Sequence, residues 1–362
     1  MKVLSIGSDV DLFAKNSGVR QRIVEYGSLM EELHIVVFTK KGYKKQNFGN
    51  VFLYPTNSKN RWFYVFDAIR IGGQIEKPDL ITTQDPFESG LVGWRLMKYF
   101  SAKLQLQIHT DFMSSYFAKE SWLNRLRVLI AKFLIPKADC IRVVSKRIKN
   151  SILGRLNLQS EVQPPSIKVL PIWIDVEQIR SAQIKTDLRE KYPQFDFIIL
   201  MASRLTKEKN IGLAIKAMSG VVQKCPKTGL VIVGEGPEKE NLKFKIKNLK
   251  LRDNVVIEKW SEDLISYYKT TDLFLLTSRY EGYGRTLMEA SVAGCKIVSS
   301  DVGIAPEILE EENIFKVGDK DDLEKKLINA ILGEIESPKL LASQTKEQYL
   351  EEYKKSWEQC GC

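Results

Sequence analysis

No apolar run in this 362-residue chain reaches the ~18 residues that a membrane-spanning helix needs, which excludes an integral membrane protein of that kind. The opening, MKVLSIGSDVD, passes from a short strand pattern straight into acids. It lacks the apolar length and the cleavage site of a secretory signal peptide. Cysteine is sparse: Cys140, Cys225, Cys295, Cys360 and Cys362. Three of them lie singly within or beside apolar segments, so the expectation is reduced thiols in the cytosol rather than a disulfide framework. The terminal Cys-Gly-Cys reads as a frayed tail, with a metal or redox pair or a lipidation site as its alternatives. Histidine occurs only at positions 34 and 109. The net charge of +10 suits phosphate-bearing partners, whether nucleotides, nucleic acid or an anionic lipid surface. Aromatic residues do not interleave with the basic ones as a base-stacking platform requires, and nucleic acid drops out on that ground.

What is present is ordinary globular composition, 44% apolar and 28% charged, on a chain too long for one core. Two domains are expected. Short apolar strands alternate with helical patterns. In the first half the strands are Val3–Gly7, Leu33–Thr39, Val51–Pro55, Asp79–Thr83, Leu104–Ile108 and Cys140–Ser145. Helical stretches fall near Val19–Met30, Trp62–Glu76, Ser89–Phe100 and Trp122–Ile135. The pattern pauses at Gln163–Pro165 and at KVLPIWIDVEQ, a strand followed by a linker. It resumes with Phe197–Ser203, Gly229–Gly234, Asn254–Trp260, Asp272–Ser278, Lys296–Ser300 and Asn313–Val317. Such repetition predicts an α/β protein of two Rossmann-like, doubly wound parallel-sheet domains joined near residues 172–190. Ligands of such sheets bind beyond the carboxyl ends of the strands, and two of them facing each other make a cleft.

Five short motifs stand at those strand ends. SGVRQR follows the first strand, where Gly18 can let backbone approach a phosphate; it is not a G-x-G-x-x-G fingerprint, and it also reads as a plain loop and helix start. In SRLTKEKNI, Arg204 and Lys209 stand five residues apart in one loop. They can aim a forked guanidinium and a point charge at a diphosphate, or they can be a solvated charged loop. VIVGEGPEKENL places Gly234 in a strand-to-helix turn that is either a nucleotide contact or an ordinary connection. His109, in QIHTDF, sits just past a strand end, where it is either a ligand-facing group or a packing or surface residue, whereas His34 begins a strand and reads as structural. The fifth motif, EGYGRTLMEA, carries Glu281 and Glu289 eight residues apart around a glycine-flanked backbone expected to be flexible and exposed. With a helix starting near Gly284 or Arg285, Glu281 lies at the helix mouth and Glu289 about one turn inside. The free first-turn N–H groups between them suit an anion such as a phosphate.

Taken together, EGYGRTLMEASVAG, SRLTKEKNI, VGEGP, VLPIWID and the tail YKKSWEQ resemble the nucleotide-sugar glycosyltransferases of family 4, also called group 1, which have the GT-B fold. The likeness runs from the first strand to about Trp357. It implies an N-terminal acceptor domain over 1–172, a C-terminal nucleotide-sugar domain over 190–338, and a last helix, 339–362, returning to the N-terminal domain. By that resemblance Arg204 and Lys209 neutralise the donor diphosphate, and Gly18 lets the N-terminal loop cover it. Backbone around Gly282, Tyr283, Gly284 and Arg285 adds the helix mouth, and Gly234 lines the nucleotide. Glu289 binds the ribose hydroxyls, Glu281 lies beside the donor sugar, and His109 faces the reacting sugar from the other domain. Lys259 and Trp260 occupy the stretch that contacts the base. Two positions depart from the family's habit, Lys259 where glycine is common and Arg285 where an apolar residue is commoner.

The implied function is retaining transfer of a sugar from a nucleotide-diphosphate sugar to a glycan or lipid-linked acceptor, with no metal and no other cofactor. Asp9 and Asp11 have a D-x-D look but lie in the first loop, and the two cations can do a metal's work. A non-catalytic nucleotide-sugar-binding protein and a GT-B sugar-nucleotide epimerase are the competing readings; the intact Glu281, Glu289, Arg204 and Lys209 speak against the first. In Lys119–Ser151, residues Trp122, Leu126, Leu129, Ile130, Phe133 and Leu134 can share a helix face among Arg125, Arg127, Lys132 and Lys137. Such a helix either lies on an anionic membrane, which would make a cytoplasmic protein peripheral at the inner membrane face, or packs in the core with a basic outer side.

Overall fold

The computed structural model describes residues 1–155, 165–339 and 344–361. Gln163 and Pro164, where the sequence pattern pauses, and Cys362 of the terminal Cys-Gly-Cys lie outside them. The chain divides into two compact units, Met1–Pro171 together with Gln344–Cys362, and Ile172–Ser343.

In the first unit the strands are β1 (Lys2–Gly7), β2 (Glu32–Val37), β3 (Gln46–Phe48), β4 (Val51–Pro55), β5 (Leu80–Thr83), β6 (Lys103–Ile108), β7 (Cys140–Val143) and β8 (Ser166–Val169). They form a sheet in the order β3-β4-β2-β1-β5-β6-β7-β8. All neighbours are parallel except β3, which pairs antiparallel with β4 at one edge. Helices α1 (Gly18–Gly27), α2 (Tyr64–Gly72), α3 (Glu88–Phe100), α4 (Ser115–Glu120), α5 (Trp122–Leu134) and α6 (Lys146–Arg155) connect them. Parallel strands covered on both faces need continuous apolar runs, and β5 is buried at every residue.

The second unit holds α7 (Val176–Ser181) and α8 (Leu188–Lys191), then strands β9 (Phe197–Ala202), β10 (Thr228–Val233), β11 (Val255–Glu258), β12 (Leu273–Leu276), β13 (Lys296–Ser300) and β14 (Ile314–Phe315). Helices α9 (Ile211–Lys224), α10 (Lys239–Asn248), α11 (Leu264–Thr270), α12 (Arg285–Val292), α13 (Ala305–Ile308) and α14 (Lys320–Ile331) alternate with them. This sheet is parallel throughout, in the order β11-β10-β9-β12-β13-β14. The stretch near 172–190 is therefore not a bare linker. Asp175 and Asp187 cap α7 and α8 by accepting from Gln178 N and Arg189 N.

The last helix, α15 (Lys346–Glu358), opens on a capping box in which Thr345 and Gln348 bond each other's backbone. Its buried residues Tyr349, Tyr353, Ser356 and Trp357 recur at helical spacing and face the first unit's sheet. Gln105 Nε2 on β6 donates to Ser356 O at 2.8 Å, and Tyr353 stacks on Tyr26 of α1 with centroids 4.2 Å apart. The Sγ atoms of Cys140 and Cys360 are bonded, with Cα atoms 5.2 Å apart across 220 residues of sequence. That corrects the expectation of reduced, unpaired cysteines: spacing in sequence says nothing about two residues that a returning helix brings together. Cys225 and Cys295 are free thiols.

Candidate active site

The second unit assembles its predicted residues at the carboxyl ends of β9 and β12, which are neighbours in the sheet. Beyond β9 the chain runs through Arg204 into a 3-10 turn, Lys207–Lys209. Beyond β12 it runs through Ser278 and Glu281 to α12. The two loops are tied together. Lys209 Nζ donates to Glu281 Oε1 at 2.5 Å, Ser278 Oγ donates to the same oxygen at 2.7 Å, and Thr277 Oγ1 donates to Lys209 O at 2.9 Å. Arg279 N adds a bond to Glu208 O at 2.8 Å. The side chains of Lys209 and Glu281 keep only 17% and 14% of their exposure, so this ion pair is largely shielded from water.

Arg204 differs in kind. Its side chain is mostly exposed and its Nη2 lies 3.5 Å from Glu208 Oε1, a loose contact worth little in water. A guanidinium held so lightly is free to swing onto an anion.

The helix mouth is built by Gly284. Its φ of +97° is open to glycine and strained for an L side chain, and it caps α12 with no side-chain acceptor. Leu287 N is taken up by Gly284 O at 3.0 Å, so the N–H groups of Arg285 and Thr286 are the first-turn donors left for solvent or an anion. Contrary to the expectation of a flexible, exposed backbone, Gly282, Tyr283 and Gly284 are buried. The loop is gripped from behind: Ile304 N donates to Tyr283 O at 3.0 Å, and a Cβ at Gly303 would meet that oxygen at 2.4 Å. One turn into α12, Glu289 accepts from Arg285 Nε at 2.8 Å and from the buried Tyr268 hydroxyl at 3.3 Å. Burial, and then the Glu289 charge, raise the Tyr268 pKa far above its usual value, so the phenol remains a donor. Arg285, whose place in the resemblance was unusual, holds Glu289 in position.

Gly234 has a packing reason of its own. A Cβ there would stand 1.9 Å from Ser203 O, so the loops after β9 and β10 can only touch through glycine. Trp260 follows β11 with half of its surface exposed. Behind it Glu258 collects Lys191 Nζ at 2.7 Å and the hydroxyls of Tyr192 and Tyr267, fixing the end of β11 to the α8 segment.

In the first unit stand Gly18 and His109. Gly18 opens α1 with nothing within 4 Å of where its Cβ would stand, and Ser17 Oγ caps the helix through Arg20 N. His109 keeps an exposed surface past the end of β6, and its Nε2 stands 3.2 Å from Gln107 Oε1 and 3.4 Å from Arg142 Nη2. The surrounding protein, then the Arg142 and Arg22 guanidiniums, push its pKa down to about 3. Arg142 went unnoticed in the sequence because it sits inside β7, a short apolar strand. His34 is structural as read, buried between Tyr54 and Glu32.

With that geometry in view, the likeness to known proteins is specific. Residues 185–348 match the family model for glycosyl transferases group 1, and residues 17–178 match that for glycosyltransferase family 4. An uncharacterized glycosyltransferase of Methanocaldococcus jannaschii is 26% identical over 298 residues, 80% of this chain and 69% of the relative. The alpha-monoglucosyldiacylglycerol synthase of Streptococcus pneumoniae is 26% identical over 64% of this chain, which spans 54% of that protein's length. Among solved structures, an Anabaena protein, HepE, in complex with UDP and glucose superposes with a TM-score of 0.67 at 17% identity, covering all of this chain and 95% of that one. The fold is GT-B, and the chain belongs to the group 1, family 4 glycosyltransferases.

Proposed function

We propose that this glycosyltransferase moves a hexosyl group from a nucleotide-diphosphate sugar to a hydroxyl of a glycan or lipid-linked acceptor, with retention at the anomeric carbon and without a metal ion. The observation that carries this reading is the Lys209–Glu281 bond, which joins the cationic loop after β9 to the uncapped mouth of α12. Arg204, Lys209 and the first-turn N–H groups then converge on a diphosphate, stabilising the charge that develops as the glycosidic C–O bond breaks. The acceptor oxygen bonds the same face of the anomeric carbon, and its proton passes to the departing phosphate oxygen. Glu289, oriented by Arg285 and Tyr268, takes the ribose hydroxyls. Trp260 takes the base, and neutral His109 contacts the transferred sugar. The UDP and glucose held in complex by the Anabaena protein, and the diacylglycerol lipid in the name of the pneumococcal relative, support donor and acceptor classes of this kind.

The test is a panel of nucleotide sugars incubated with the protein and free of divalent cations, followed by NMR of the released or transferred sugar. Release that is selective for one donor, with the anomeric configuration kept, is expected. An inverted product removes the same-face mechanism, and binding without turnover of any donor would favour a non-catalytic nucleotide-sugar-binding protein.

A further inference from the structure

In the first unit, α3 packs against both α2 and α5. Their outward sides carry large apolar residues that nothing in the described structure covers. Trp62, in the 3-10 turn Arg61–Phe63 that leads into α2, and Phe66 on α2 are 75% and 72% exposed, and Trp122 and Leu129 on α5 are 65% and 64% exposed. On α5 the residues Trp122, Leu126, Leu129 and Phe133 follow 4-3-4 spacing and so form one stripe. The core uses other sides of the same helix, through Asn124, Ala131 and Leu134. Leu134, which the sequence placed on the shared face, is thus removed from it. Phe133 meets Trp94 of α3 edge-on at 5.3 Å, which joins the apolar surfaces of the two helices. Scattered exposed hydrophobes are ordinary, whereas a joined set marks an interaction surface.

The charge left without an ion-pair partner on these three helices is positive. The acids on the three helices are Asp67 and Glu88, and each is engaged: Asp67 accepts from Ser58 Oγ at 2.5 Å and lies 3.5 Å from Arg70, and Glu88 is held by Arg127 at 2.9 Å. Among the described residues Arg95, Arg125 and Lys132 have no carboxylate partner. Lys98 and Lys137 lie 4.4 Å and 4.2 Å over the rings of Trp94 and Phe133. Between α2 and α3 runs a groove of about 370 Å³ whose polar lining is Arg70, Gln74, Arg95, Lys98 and Tyr99. It holds three cations and no carboxylate, the chemistry of a phosphate site.

We propose that this face of the first unit docks on an anionic lipid bilayer, with Trp62, Phe66, Trp122 and Leu129 entering the interface and the α2–α3 groove taking a lipid phosphate. Cations and apolar residues alternate along α5, Arg125 beside Leu126 and Lys132 beside Phe133. Long basic side chains can then reach head groups while the stripe inserts. A protein partner would instead favour an interface core depleted of charge. A second copy would bring one cationic face against another on a chain of net charge +10. The inference does not depend on the glycosyl-transfer reading.

The full chain is mixed with phosphatidylglycerol/phosphatidylcholine vesicles or with pure phosphatidylcholine vesicles at low salt, and sedimented. Sedimentation with the first and not the second, reversed by salt, is expected. The pairs Trp122→Ser with Leu129→Ser, and Arg95→Glu with Lys132→Glu, should each weaken partitioning about tenfold or more. Thermal unfolding shows that the variants are folded, so the outcome is independent of catalysis. The proposal is overturned if the wild-type chain stays in the supernatant with anionic vesicles, or if both pairs bind as it does. Complete displacement by inorganic phosphate at constant ionic strength would make the groove a site for soluble anions instead. A dimer abolished by the Trp122 and Leu129 substitutions would make the face a contact between copies.

Discussion

Arg142 Nη2 lies 3.4 Å from Nε2 of His109 and 2.7 Å from Gln107 Oε1, while its Nε and Nη1 have no hydrogen-bond partner among the described residues and its guanidinium stacks 4.3 Å over the Tyr353 ring. A buried guanidinium without a carboxylate makes protonation of its neighbour costly. The imidazole, ordinarily titrating near 6.5, is held down at about 3 in the folded chain. The unfolded chain therefore binds a proton that the folded chain refuses, so this residue's contribution to stability falls as pH drops from about 6.5 toward 3. With only two histidines in the chain, ring-proton NMR resolves them directly. His109 should stay neutral through pH 5, a value well above its folded midpoint of about 3. Arg142→Met should raise that midpoint. A His109 resonance that titrates near its ordinary pKa in the wild-type chain would refute the arrangement.

The Lys209–Glu281 pair yields a second expectation. Removing one partner of a shielded ion pair leaves the other charge without compensation. Lys209→Met and Glu281→Gln should each cost on the order of 2 kcal/mol after discounting for the residual exposure. The double substitution should cost less than their sum, since the single losses share one interaction. Turnover should split differently. Lys209→Met should lower kcat/KM by about 10²–10³, the scale of a lost preorganised donor to a developing anion. Denaturant titration and donor hydrolysis measured on the same four proteins decide both points.

Much of this arrangement was readable in advance, and the part that was not has a common cause. Strands such as β4, β9 and β10 declared themselves because parallel strands need apolar runs and end at turn residues. The strand β3 passed unseen because Gln46–Phe48 is a short edge strand without such a run. The helices α7 and α8 were present in their aspartate caps, but each is too short for a periodic signal. The helix mouth at Gly284 followed from local sequence alone. The Lys209–Glu281 bond spans 72 positions and exists only because β9 and β12 pair. Arg142 beside His109, and the burial of Arg142 against Tyr353 of α15, likewise depend on which strands and helices become neighbours. Local chemistry is legible in sequence, whereas long-range partners come from topology.

Three of the four glycines assigned to the donor, Gly18, Gly234 and Gly284, separate folding from binding. Gly18→Ala meets open space at an ordinary backbone angle, so the melting temperature should hold or rise slightly. Any loss of turnover there would then report crowding of the ligand. Gly284→Ala places a side chain at φ +97° and should cost about 1–2 kcal/mol. Gly234→Ala drives a Cβ into Ser203 O, a backbone atom that cannot yield without moving β9 or β10, and should be the most destabilising of the three. If Gly18→Ala melts as early as Gly234→Ala, the packing around the first helix has been misjudged.

The last helix closes the first unit through aromatic burial, and that closure can be tested by a single residue. Trp357 is 2% exposed and packs edge-on against Tyr353 at 4.7 Å, above the polar strand face formed by Gln105, Gln107 and Arg142. Trp357→Ala should cost about 3–5 kcal/mol, because the site loses the transfer energy of the indole and cannot refill the space. Lys354→Ala, on the exposed side of the same helix, should stay within about 0.5 kcal/mol. The damage should also be local. Amide exchange should accelerate in β6 and β7, which α15 covers, while β9 and β10 of the second unit keep their protection. Equal acceleration in both sheets would mean that the two units unfold as one and that α15 is not a lid on the first alone.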